Sequence, residues 1–369
     1  MEPSYTTVNK EEDENGAYAM QLIDSVALPM VLKAVVELKV FDIIAEAGPG
    51  AQLSPLEIVS RMPSAGPRGS APEMLDRMLR FLASNSILTC SELSSDKLPP
   101  AAGLVGQRRL YGLAPVAKYF VSGKDGGALR PYLSLCTDKV SLDTWYGLNG
   151  VVAKGGISFD KVHGMQLFEY LGKDPRFNEL FNKGMFSHTT IVLNKILESS
   201  YKGFEQVQKL IDVGGGLGVA LNLITSKYPH IKGVNFDLPH VIQHAPSYHG
   251  VEHVEGDMFE SVPKGDAIFM KWILHDWSDD HCLKLLKNCR KALPDDGKII
   301  VVEGILPEII DSSAATKGIF QFDLGLMALS PGGKERTEQE FLALATGAGF
   351  SGIILECFAF NVWLMEFYK

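Results

Sequence analysis

From Lys209 onward, short apolar runs alternate with stretches of helical periodicity: "KLIDVG", "GVNFDL", "GVEHVEGD", "DAIFMKWIL", "KIIVVEGIL" and "GIILECFAF". Runs of that length, almost continuously hydrophobic and separated by helices, predict a parallel sheet covered on both faces. The first run leads directly into glycines at 214, 215, 216 and 218 in "IDVGGGLG". In an open parallel sheet, ligands bind beyond the carboxyl ends of the strands near the switch point, so this turn is where a ligand approaches the backbone.

The glycine spacing narrows the ligand. In a dinucleotide fingerprint begun at Gly214 and Gly216, the third small residue falls at position 219, which is Val219. Asp212, Gly214, Gly216 and Gly218 instead give D-x-G-x-G-x-G, the spacing found where S-adenosylmethionine binds. Two acids follow at successive strand ends. Asp237 in "NFDLP" is placed to accept both ribose hydroxyls, and Asp257 in "EGDMF" to bond an adenine amino group. Acids that only cap turns are the alternative reading.

Composition limits the acceptor. A formal net charge of -9, without a dense Lys/Arg run, disfavours nucleic acid and anionic membranes as partners and leaves a small organic molecule. Five cysteines without C-x-x-C spacing read as free thiols in a reducing compartment, hence the cytoplasm. "MEPSYTTVNKEEDENG" (1–16) reads as a disordered acidic tail without signal-peptide character, and "SVALPMVLKAVVELKV" as too short and too charged to span a bilayer.

The first part of the chain has a different pattern. Residues 17–47 read as two apolar helices meeting at a kink near Pro29. Ser54 and Glu57 form a capping box with Pro55 in the first turn of the next helix. "PEMLDRMLRFLASNSILTC" and "RRLYGLAPVAKYFV" complete the helix–helix–strand–loop–strand order of a winged helix, with residues 98–107 in the wing tip. Glu73 and Asp76 stand beside Arg77 and Arg80 on the candidate recognition helix, so dimerisation or a lid role is favoured over DNA binding. The domain reading is therefore 17–160 for a winged-helix-like unit and 161–369 for the catalytic unit.

"NFDLPHVI", "GVEHVEGDMF", "FMKWILHDWSDDHCLKLLKNC" and "PGGKERTEQEF" resemble the plant small-molecule O-methyltransferases of the caffeic acid type, over nearly the whole chain. The resemblance implies a homodimer joined through the N-terminal unit and a Rossmann-like class I methyltransferase domain built on a mostly parallel seven-stranded sheet. It implies S-adenosylmethionine as donor, S-adenosylhomocysteine as product and no metal. Leu238, Met258 and Lys271 then join Gly214, Gly216, Asp237 and Asp257 in the donor site.

His275 in "WILHDWSDD" follows the fourth strand and precedes a helix read as capped by Ser278; with the family motif it is the general base. A phenol titrates near 10 and an imidazole near 6.5, so full prior deprotonation would cost about 5 kcal/mol, which concerted transfer largely avoids. Glu303 ends an apolar run, where an acid needs a partner. Glu335 precedes a helix whose capping box is Thr337 and Glu340. By resemblance both glutamates flank His275, and Asp276 contacts the acceptor. The resemblance also lines the acceptor slot with Phe177, Phe181, Met185, Phe322, Leu326 and Met327, each of which could instead be ordinary core.

Four positions depart from the lignin-type pattern. The caffeic acid enzymes carry asparagines at the positions of Cys136 and Ser330, a histidine at that of Leu171 and a branched residue at that of Gly325. Losing polar groups that hydrogen-bond ring substituents shifts selectivity away from caffeate, towards a more apolar or bulkier phenolic. The expected acceptors are a phenylpropanoid, coumarin, flavonoid, stilbene, lignan or phenolic alkaloid. The alternative in the same fold is an N-methyltransferase on an aromatic amine, such as an anthranilate-type or alkaloid acceptor. A catalytically silent ligand-binding dimer would require loss of the histidine or a glycine.

Overall fold

The computed structural model describes residues 10–63, 70–92, 109–123 and 127–369. The expected wing tip at 98–107 lies outside them, as do residues 1–9. The chain forms two compact units, residues 1–137 and 138–369. The division falls upstream of the 160/161 boundary read from the sequence. Residues 138–160 are tied to helices of the second unit: Asp138 takes the Arg176 guanidinium at 2.7 and 3.1 Å, and fully buried Phe159 meets the edge of Tyr170.

In the first unit, helices span Lys10–Ile23, Ala27–Glu37, Val40–Glu46, Pro55–Arg61 and Ala71–Ser84. The acidic stretch from Lys10 to Gly16, read as disordered, is helical. The break precedes Pro29, at a 3-10 turn over Asp24–Val26, and Pro29 sits in the first turn of the next helix, where its missing N–H costs nothing. Lys10–Glu37 is therefore longer than the sequence suggested, and by length and composition alone it could cross a membrane. The Ser54–Glu57 capping box forms, with Pro55 opening the helix.

Strands β1 (Gln52–Leu53), β2 (Leu88–Glu92) and β3 (Arg109–Leu113) pair antiparallel in the order β1-β3-β2. Val35, Phe41, Ile44, Ile58, Leu79 and Tyr111 pack the core beneath them. Asp76 is buried there, accepting the Tyr111 hydroxyl at 2.6 Å and pairing with Arg80 and Arg109. On the outside, Tyr18, Met20, Leu22, Ile23 and Val26 are each more than half exposed.

The second unit is built on β4 (Lys209–Val213), β5 (Lys232–Asp237), β6 (Val251–Glu255), β7 (Ala267–Lys271), β8 (Lys298–Glu303), β9 (Gly352–Ala359) and β10 (Val362–Tyr368). Their order is β6-β5-β4-β7-β8-β10-β9; all neighbours pair parallel up to β8, and β10 runs antiparallel to both β8 and β9. Apolar residues on both faces form two cores. One lies against the helices Asp279–Ala292 and Glu338–Gly347, the other against Pro175–Glu198 and Val219–Lys227. The order reverses between β4 and β7, so the turns after β4, β5, β7 and β8 open on one edge.

Candidate active site

The turn after β4 uses glycine for two reasons. Gly214, Gly216 and Gly218 have φ of 69, 58 and 81°, a region costly for residues with a Cβ. A Cβ at Gly214 would also stand 2.4 Å from Ile273, and one at Gly215 2.1 Å from Asn235 Oδ1. The loop is pinned from below: Asn235 Nδ2 donates to Gly216 O at 2.9 Å, and Gly216 N donates to Asp237 Oδ2 at 2.8 Å. Leu238 N donates to the other Asp237 oxygen at 2.7 Å. The Asp237 carboxylate is thus fixed in orientation with lone pairs to spare, which suits a pair of vicinal hydroxyls.

Asp257 follows β6, exposed, its Oδ1 taking the Phe259 N–H at 2.7 Å beside half-buried Met258. Leu238 is exposed at the mouth of the same edge. Lys271 ends β7, its Nζ 3.8 Å over the Trp272 ring. Burial pushes its ammonium down to about 7 against the pull of Glu303 and Asp212. Burial likewise lifts Asp212 to about 8, aided by Asp237.

The strand β7 ends abruptly because Trp272 adopts φ 57°, an outlier for a bulky residue that stores about 1–3 kcal/mol. That turn swings the next residues under β8. Glu303 Oε1 accepts both the Ile273 and Leu274 N–H groups, at 2.8 and 2.9 Å, so the strand-end acid holds the short 3-10 turn Leu274–Asp276.

His275 sits in this turn, only 3% exposed. Its Nδ1 lies 3.0 Å from Glu335 Oε1 and 3.3 Å from Glu303 Oε2. Both glutamates converge on one nitrogen, leaving Nε2 on the other side of the ring, 3.7 Å from Asp276 Oδ1. Burial alone would lower the imidazole's pKa, but Glu303, Asp276 and Glu335 outweigh it and lift His275 to about 9. Burial raises Glu303 to about 7 and also raises Asp276, His275 opposing both shifts.

The Glu335 loop is fastened to the His275 turn at several points. Lys334 N donates to His275 O at 2.9 Å, and Glu335 N to Asp323 Oδ1 at 2.8 Å. Arg336 is fully buried; its guanidinium donates to Leu274 O, to Trp277 O and to Asp279. The Thr337–Glu340 capping box starts the following helix. Ser278 occupies the N-cap position of its helix but makes no cap bond, because its hydroxyl is engaged by His281 Nδ1 at 2.8 Å.

The expected acceptor residues divide. Phe322 lies 5.6 Å from the His275 ring and 4.7 Å from Trp272, on the helix Ala314–Leu329 that also carries Leu326 and Met327. Ser330, buried, ends that helix and accepts the Gly333 N–H at 3.1 Å, one residue before the Lys334 N–H that donates to His275 O. Phe177, Phe181 and Met185 share one stripe of the helix Pro175–Glu198 with His188. His188 stacks on Trp272 at 3.8 Å, which brings that stripe toward the site, while Phe177 itself is buried against Tyr170. Cys136 belongs to the first unit, at the end of the helix Arg130–Cys136, and is exposed. Sequence reasoning missed His188, Trp272, Arg336 and Asp323. His188 lies inside a long amphipathic helix, and only its spacing from Met185 could have flagged it.

The geometry defines a class: a Rossmann-like fold with a glycine turn at the switch point and a buried histidine on the same sheet edge. Residues 145–351 match the O-methyltransferase domain family and residues 20–123 the O-methyltransferase dimerisation domain family. Caffeic acid 3-O-methyltransferase of Medicago sativa is 56% identical, over 100% of this chain and 98% of that one. Catechol O-methyltransferase 1 of Solanum lycopersicum is 55% identical, over 98% and 97%. Human N-acetylserotonin methyltransferase, solved with SAM, shares the fold at a TM-score of 0.78 and 20% identity, covering 98% of this chain and 99% of that one. This chain belongs to the plant S-adenosylmethionine-dependent O-methyltransferase family of the caffeic acid type.

Proposed function

We propose that the enzyme methylates a hydroxyl of an apolar or bulky plant phenolic, a phenylpropanoid, coumarin, flavonoid, stilbene, lignan or phenolic alkaloid, with His275 as general base. The observation that carries this reading is the convergence of two buried glutamates on Nδ1 of His275. They fix the tautomer with the proton on Nδ1 and present the Nε2 lone pair to the acceptor. S-adenosylmethionine, when bound, supplies an electrophilic methyl group. Gly214, Gly216, Asp237, Leu238, Asp257, Met258 and Lys271 would hold it, and Asp237, its carboxylate fixed by two backbone N–H groups, would accept the ribose hydroxyls.

The carboxylates do more than orient the ring. An unperturbed imidazole would take a phenol's proton at a cost of about 5 kcal/mol, and the carboxylates that lift His275 to about 9 narrow that gap. Asp276 stands on the Nε2 side and orients the reacting hydroxyl. The reaction in this form requires no metal. Phe322, Leu326, Met327, Phe181 and Met185 clamp the aromatic ring.

Selectivity follows from the departures. Leu171 and Ser330 are buried, and at Gly325 a Cβ would meet nothing within 4 Å, which leaves room where the family carries a branched residue. The enzyme works as a cytoplasmic homodimer, in keeping with five free cysteines and the exposed apolar helix face.

The test is His275→Ala, assayed on the best phenol and on an aryl amine. Turnover on the phenol falls about 100-fold or more with donor and acceptor affinities retained, and the amine, attacking through its own lone pair, is affected less. Near-normal turnover on the phenol with unaltered affinities would remove His275 as the base.

A further inference from the structure

We propose that His275, Glu303 and Glu335 also form an inhibitory site for a divalent cation of the zinc class, which silences the base when occupied. The three side chains offer donor atoms that all lie within 4.8 Å of one another. They come from three separate elements: the turn after β7, the end of β8 and the loop before the helix Glu338–Gly347.

The distances fit a metal in place of the Nδ1 proton. Ligands about 2.0–2.1 Å from a tetrahedral zinc stand about 3.3 Å apart. Here Nδ1 is 3.0 Å from Glu335 Oε1 and 3.3 Å from Glu303 Oε2, two edges near that value, and the third edge lies within 4.8 Å. The second observation is the state of the carboxylates. Glu303 and Glu335 are 0% and 1% exposed; among the described residues Glu335 Oε2 has no hydrogen-bond partner, and Glu303 Oε2 has none beyond its ion pair with His275. Two buried acids face a single imidazole, and a dication in place of the Nδ1 proton adds positive charge between them, beside that of Lys271 acting on Glu303. The donor set of one imidazole and two carboxylates matches those of many zinc sites.

Occupancy has a defined chemical consequence. A neutral imidazole carries one proton; with the metal on the Nδ1 lone pair, that proton resides on Nε2. No lone pair then remains for the acceptor's hydroxyl proton. When the ion enters the imidazolium form, the Nδ1 proton is released to solvent. Metal binding does not depend on which group is the base, whereas the loss of turnover rests on the reading of His275 above.

The experiment uses the full-length enzyme with zinc and cobalt(II) as probes. Zinc binds one ion per chain and suppresses turnover on a phenol, and a chelator restores it. Cobalt(II) shows visible ligand-field bands without thiolate-to-metal charge transfer. Glu303→Gln and Glu335→Gln, both near-isosteric, each weaken zinc binding at least about tenfold by calorimetry. A thiolate charge-transfer band, the absence of binding, or zinc affinity unchanged in both variants overturns the site. Binding at the triad with undiminished turnover overturns the inhibitory role, and with it the base; absence of binding leaves the base to its own test by His275→Ala.

Discussion

At the residue scale, His275 illustrates how burial and charge compete. Burial disfavours the imidazolium, yet the nearby carboxylates prevail and hold the ring at about 9. A base must be unprotonated to act, so kcat/KM of the free enzyme rises with pH toward about 9 instead of levelling off just above 6.5. Glu335→Gln removes one of the carboxylates that raise the pKa, and the rise moves to lower pH; a profile unmoved by that change would detach Glu335 from the base. Asp237 offers a second check. Its oxygens are oriented by Gly216 N and Leu238 N, so Asp237→Ala weakens donor binding far more than acceptor binding. Calorimetry that finds donor affinity unchanged would move the cradle elsewhere.

At the scale of elements, the site depends on turns that hold one another. Arg336 donates to two carbonyls and an aspartate of the His275 segment while adjoining Glu335, so it joins the base's turn to its carboxylate. Arg336→Leu leaves those groups unpaired, and unfolding in urea registers a loss of about 3 kcal/mol. No loss would mean that water replaces the guanidinium. The same elements show what a sequence discloses. Strands β4 to β9, both capping boxes, and the triad of His275, Glu303 and Glu335 were legible because each has a local signal, or a motif that quotes its neighbours. β10 was not. It returns from β9 through Phe360 and Asn361, at φ 49 and 66°, a tight hairpin without the Asn-Gly or Asp-Gly pair that usually marks one. Arg336 and Asp323 were invisible for another reason: their partners lie 57–62 and 12 residues away, and no periodicity encodes such pairings.

At the scale of the whole molecule, the N-terminal helices leave Met20, Ile23 and Val26 in solvent, more apolar surface than a solitary helix face sustains. A second copy covers it in the proposed homodimer. Ile23→Glu with Val26→Glu then converts a dimer into a monomer in sedimentation, and a wild-type protein that sediments as a monomer at micromolar concentration contradicts the assembly. The reaction proposed is the transfer of a methyl group to a phenolic oxygen. Its most direct measurement gives the full-length protein S-adenosylmethionine labelled in the methyl group, with a panel of phenols and aryl amines, and locates the label in the product. Label is expected on a phenolic oxygen, with the apolar and bulky phenols outpacing caffeate. Label confined to amine nitrogen, or caffeate preferred above every bulkier phenol, would contradict it.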